Sequence, residues 1–131
     1  MNKVLEIEDT TNFVVMPPDT NYMDIIFGGF FMAKLDIAAA TVVTRAVRFS
    51  EICDKAVTHK FEVEFVKPCF VGDIVTIHSR IDYIGRKSII VKQLAHKETR
   101  EDATKIIVAS STAIFVTMNG NQFLNHELEL I

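Results

Sequence analysis

Residues 27–47 read FGGFFMAKLDIAAATVVTRAV, and the fold turns on this stretch. It is apolar almost all round, which marks a helix enclosed by protein rather than one lying on a surface. Among its polar members, Lys34, Asp36, Thr41 and Arg45 each need an account of their own. Lys34 and Asp36 also interrupt the most hydrophobic part of the chain, residues 25–43. A bilayer span needs about 20 apolar residues in a row, so the expectation is a buried helix in a soluble domain, with no membrane partner.

Before the helix, residues 11–16 (TNFVVM) are rich in strand formers and stop at Pro17-Pro18, where no ladder or helix can continue. This predicts a short first strand and then a loop. Beyond residue 54 the period changes to two, with Phe61, Val63 and Phe65 alternating with Lys60, Glu62 and Glu64, the pattern of a strand with one wet face. Pro68 and Gly72-Asp73 mark a turn. Residues 74–84, 88–96 and 105–117 then read as long strands, split by Gly85-Arg86 and by the charged run 97–102. A tail from about residue 120 carries no pattern and is expected to be flexible.

One strand, one long helix and four long strands predict an α+β fold in a single domain over residues 1–131, with an antiparallel sheet curled round the helix. Such a sheet leaves open edges and part of the helix uncovered. A two-fold partner would cover both, so an obligate dimer is the expected minimum unit.

Composition narrows the function. At 131 residues and 49% hydrophobic content, one globular domain could bury roughly two thirds of its unfolded surface. A net charge of −3 with no concentrated run of Lys and Arg argues against nucleic acid as a partner. The opening MNKVLEIEDT lacks the pattern of an export signal. Cys53 and Cys69 stand sixteen apart with no CxxC pair, suggesting neither a disulfide framework nor a zinc site. A cytoplasmic setting is expected.

The chain has no GxSxG elbow, no GxxxxGK[ST] loop, no GxGxxG after a strand and no HExxH. His59, His78, His96 and His126 are widely spaced and read as ordinary surface or core-edge residues. Ser110-Ser111, in mid-strand, reads as packing or hydrogen bonding rather than nucleophilic chemistry.

Asp36 is different, because its helical neighbours Met32, Ala33, Ala39 and Ala40 are apolar and mostly small. Burying a lone carboxylate there would be costly. Two readings stay open: a general base or nucleophile in a cleft, or an exposed or Arg-paired aspartate. Gly28-Gly29 begins the same helix, although each glycine costs about 1 kcal/mol relative to Ala in a helix interior. First-turn N–H groups lack helical partners and carry the positive end of the dipole, so an oxyanion hole is one reading. A tight turn packed against a strand is the other. Gly29 and Asp36 are seven residues apart, ~10 Å along the axis, too far for one carbonyl to meet both comfortably. Antiparallel helices at a two-fold axis would bring the glycine end of one near the carboxylate of the other.

Taken in order, Met16-Pro17-Pro18-Asp19-Thr20-Asn21, Phe27-Gly28-Gly29, Met32, Leu35-Asp36, Phe65-Val66-Lys67-Pro68, Val71-Gly72-Asp73 and Gly85-Arg86-Lys87-Ser88 resemble the hotdog-fold acyl-CoA thioesterases. The likeness is to the group of bacterial short acyl-CoA hydrolases and cytosolic or brain acyl-CoA hydrolases. It implies hydrolysis of acyl-CoA to a free acid and CoA without metal or organic cofactor. It also implies a homodimer at least, and a hexamer built as a trimer of dimers. By the same resemblance Asp36 is general base or nucleophile, and Asn21 contributes from the other subunit. Gly28 and Gly29 polarise the thioester carbonyl, while Phe27, Gly85, Arg86, Lys87 and Ser88 bind substrate, with Gly85, Arg86 and Ser88 along the CoA arm. Arg86 and Lys87, with Lys67, are local cations suited to CoA phosphates. One departure stands out: Asp24 fills a position where the family has glycine, and Asp tolerates a left-handed backbone better than most residues. A non-catalytic acyl-CoA-binding module, its site spoiled by Asp24, is the alternative.

Overall fold

The computed structural model describes residues 7–48, 55–84, 87–119 and 122–123. The helix α1 spans Gly28–Val47 and is preceded by strand β1, Glu8–Val14, and a single 3-10 turn at Pro17–Asp19. Four long strands follow: β2 (Lys55–Phe65), β3 (Ile74–Ile84), β4 (Ser88–Glu98) and β5 (Ile106–Asn119). All neighbours are antiparallel, in the order β1-β3-β4-β5-β2. The helix lies across one face of this sheet, which is the hotdog arrangement that the resemblance implies.

Alternation builds the inner face. Val75, Ile77, Ile81, Ile89, Val91, Ala95, Ala109, Ala113 and Phe115 are buried against Phe31, Leu35, Ala38, Ala39, Val42, Val43 and Ala46 of α1. Fully burying a Leu, Ile, Val or Phe side chain contributes about 1.5–3 kcal/mol, so this seam is the main source of stability. Alanines at 38, 39 and 46 let the helix sit close to the strands.

The polar helix residues each find an explanation. Arg45 reaches β1, bonding the Asp9 carboxylate at 3.1 Å and the Glu8 carbonyl at 3.3 Å. Lys34 lies over the rings of Phe13 and Phe30 at 5.3 and 5.4 Å. The Thr41 hydroxyl donates to the Ile37 carbonyl one turn back. Asp36 is turned toward β2, where the Thr58 hydroxyl donates to it.

Within one chain α1 is enclosed only on its sheet side, as a sheet curled round one helix leaves it: Met32 and Ile37 are exposed, Ile37 by 66%. Two expectations need correction. Strand β1 runs from Glu8 to Val14 and so begins and ends earlier than residues 11–16; its first residues are polar, and pairing with β3 holds them in place without an apolar alternation. The tail is not wholly featureless, since Gln122–Phe123 forms a short strand β6 on Met118 and Asn119.

Candidate active site

The approach to α1 is a closed loop. Asn21 and Ile25 share a backbone bond of 2.8 Å, and the Asn21 side-chain Oδ1 accepts from the amides of Met23 and Ile25 at 2.8 and 3.2 Å. Such Asx geometry is what asparagine does best in a turn. Its Nδ2 donates to no side chain or backbone group among the described residues. Asp24 sits within this turn at φ 62, the left-handed region, and is exposed. Asp24 thus takes the left-handed backbone that favours glycine. The Ile26 amide then donates to the Cys69 carbonyl and the Phe27 amide to the Asp19 carbonyl, both at 2.8 Å, fixing where the helix starts.

That start has no cap. Phe27 occupies the N-cap position without a side-chain hydrogen bond, where Ser, Thr, Asp or Asn would add about 0.5–2 kcal/mol. The first helical bond runs from the Phe31 amide to the Phe27 carbonyl, so the amides of Gly28, Gly29 and Phe30 have no partner among the described residues. A Cβ on Gly29 would fall 2.9 Å from the Phe27 ring, which lies across it, whereas one on Gly28 would make only ordinary contact with Phe65. A cleft of about 310 Å³ opens beside Gly28, lined by Ile26, Phe31, Phe65, Lys67 and Pro68 among others.

Asp36 lies two turns further on, half-buried, and its Oδ1 accepts a 3.0 Å bond from the Thr58 hydroxyl of β2. No arginine pairs with it among the described residues. Thr58 carries no mark in the sequence as a site residue. It sits at a register shift between Thr58 and Lys60 that breaks the alternation of β2, and only the packing of β2 on α1 brings it to Asp36.

The remaining candidates lie elsewhere. Lys87 is exposed and Ser88 half-buried at the start of β4, opposite Val116, at the end of the sheet away from Gly28. Gly85 and Arg86 lie outside the described residues. One chain thus groups Asn21, Phe27, Gly28 and Gly29 at the head of the helix and Asp36 with Thr58 at its middle, with Lys87 and Ser88 beyond.

Two other groups are framework. Lys97 and Asp73, both buried, pair at 3.3 Å; Lys97 also donates to the Pro68 carbonyl at 2.7 Å, and Asp73 accepts from the Phe70 amide at 2.8 Å. This pair fixes the loop that walls the cleft. Burial pushes the Cys69 thiol up to about 11, so it is a protonated core residue and no nucleophile. His78 and His96 stack at 5.1 Å on the outer sheet face, and burial, then the neighbouring His78, lowers the pKa of His96. Among the described residues no cluster of His, Cys, Asp and Glu could hold a metal ion, and no helix is long and apolar enough to cross a membrane.

Known proteins share this arrangement. A family model described as Thioesterase superfamily matches residues 23–104. An uncharacterized acyl-CoA thioester hydrolase of Haemophilus influenzae is 33% identical over 79 residues, covering 60% of this chain and 49% of that protein. The chain thus spans about half the length of that relative. An acyl-CoA hydrolase of Staphylococcus aureus, solved with butyryl coenzyme A, coenzyme A and coenzyme A disulfide, is 26% identical with a TM-score of 0.83, over 96% of this chain and 74% of that one. A hexameric broad-specificity acyl-coenzyme A thioesterase is 25% identical with a TM-score of 0.77, over 88% and 83%. With the family model matching more than half of its length, and an uncapped helix and carboxylate set in a hotdog sheet, the chain belongs to the thioesterase superfamily.

Proposed function

We propose that the chain is a subunit of an acyl-CoA thioesterase, hydrolysing acyl-CoA to a carboxylic acid and CoA with Asp36 as general base or nucleophile. The observation that carries this reading is the half-buried Asp36 carboxylate, held by Thr58 of β2 and borne by the same helix whose first-turn amides have no partner among the described residues. Those amides would donate to the developing oxyanion. As base, Asp36 would take a proton from water as the water oxygen bonds to the thioester carbon; the C–S bond then breaks, and the sulfur takes that proton back from Asp36 so that CoA leaves as the thiol.

Gly29 and Asp36 remain ~10 Å apart along the helix. The reading therefore takes the glycine end and Asn21 from one subunit and Asp36 from its partner, in a homodimer at least. The hexameric relative supports a larger assembly of such dimers. The Staphylococcus aureus enzyme has also been solved with an aspartate, an asparagine or a threonine replaced by alanine. There the aspartate follows the asparagine by fifteen residues, as Asp36 follows Asn21 here; the threonine follows the aspartate by seventeen, against twenty-two for Thr58. Phe27, Gly85, Arg86, Lys87 and Ser88 are assigned to substrate, with Lys67 at the rim of the cleft as a further cation.

Binding without turnover is not favoured, because Asp24 adopts the backbone that the turn requires. The test is thiol release from acyl-CoAs, from acetyl to palmitoyl, by wild type and Asp36→Asn. Turnover by wild type with at least a hundredfold loss in a folded Asp36→Asn protein is expected; equal rates would defeat the assignment.

A further inference from the structure

Beneath the helix runs a feature that the proposed chemistry does not use. Ser79, Gln93 and Ser111 stand in one row across β3, β4 and β5, each the direct cross-strand partner of the next. All three are buried, Gln93 to 4% exposure. The inner-face rows on either side are apolar: Ile77, Ala95 and Ala109 toward the glycine end, Ile81, Val91 and Ala113 toward the other. A polar row therefore divides the core in two.

Its hydrogen bonds converge on one point of the helix. The Ser111 hydroxyl donates to Gln93 Oε1 at 2.6 Å, and Gln93 Nε2 donates to Ser79 Oγ at 2.9 Å and to the backbone carbonyl of Leu35 at 2.7 Å. Both amide hydrogens are used. A helix-interior carbonyl has a second lone pair beyond its bond to the amide four residues on, and here a sheet residue takes it. The peptide so held is the one that joins Leu35 to Asp36.

Stability alone is a poor reason for such a row. Replacing all partners of a buried polar group by apolar ones of similar shape is often neutral or better. What a polar link in an apolar layer adds is register, as a lone buried Asn does in a coiled coil. Helix α1 meets the sheet through smooth apolar contacts, many of them alanine, which resist sliding and rotation weakly. The Gln93 bond fixes the helix where the Asp36 carboxylate meets Thr58. Gln93 is buried under the helix and bonded to the Leu35 carbonyl, so it acts through Asp36.

We infer that Gln93, clamped by Ser79 and Ser111, is a positioning residue for Asp36; this deepens the thioesterase reading and rests on it. The test is steady-state hydrolysis of butyryl-CoA by Gln93→Met and by the combined Gln93→Leu, Ser79→Ala, Ser111→Ala protein, which leaves no orphaned polar group. Both are expected to stay folded, with kcat reduced about ten- to a hundredfold, KM within about twofold of wild type and the acid limb of the kcat profile displaced. A folded combined variant with wild-type kcat and pH profile would overturn the inference. So would a kcat that falls only in step with the fraction folded, since the row would then be a stability element. Asp36→Asn, measured alongside, separates the two readings. If it retains wild-type turnover, the assignment of Asp36 fails; if it is inactive while the row variants match wild type, only the positioning role fails.

Discussion

Single residues carry the chemistry, and they differ in how visible they are in the sequence. Asp36 is legible because a carboxylate in an apolar helix demands a reason, and Asn21 and Gly28-Gly29 because turns and helix starts have local rules. Thr58 and Gln93 are not, because each matters only through a contact made across 22 or 58 positions of chain. The Thr58 hydroxyl donates to a carboxylate oxygen, and hydrogen bonds to carboxylates contribute about 1.5–3 kcal/mol. Thr58→Val, which keeps the shape and removes the donor, is expected to lower kcat about tenfold or more while circular dichroism stays unchanged. A wild-type kcat would mean that the bond plays no part in turnover.

Among the elements, the helix and the last three strands are where the sequence places them, since α1 differs from the predicted run only at Phe27 and β3 matches residues 74–84. Continuous hydrophobic patterning made those bounds local properties. The start of β1 was hidden because it is an edge strand, whose polar residues are held by pairing rather than by burial. The loop between β2 and β3 depends on an ion pair no pattern announces. Lys97→Met would leave the buried Asp73 carboxylate unpaired and free the Pro68 carbonyl, for an expected loss of about 3–5 kcal/mol in urea unfolding. Adding Asp73→Leu is expected to recover part of that loss. A single variant as stable as wild type would contradict the role given to the pair.

For the whole molecule, the side of α1 turned from the sheet decides the outcome. Met32 and Ile37 are exposed along the same stripe that carries Gly29 and Asp36, so a second copy covering it would complete the site while burying apolar surface. Ile37→Glu places a charge in that contact and is expected to lower the mass in solution, read by light scattering, with activity falling in parallel. An unchanged mass would put the interface elsewhere. The most direct test of the shared site combines two inactive proteins. Asn21→Ala and Asp36→Asn each spoil one half, and in a mixed dimer one of the two sites escapes both changes. Coexpressed in equal amounts, they are predicted to regain about a quarter of wild-type acyl-CoA hydrolysis; a mixture as inactive as its parents would contradict a site built from two subunits.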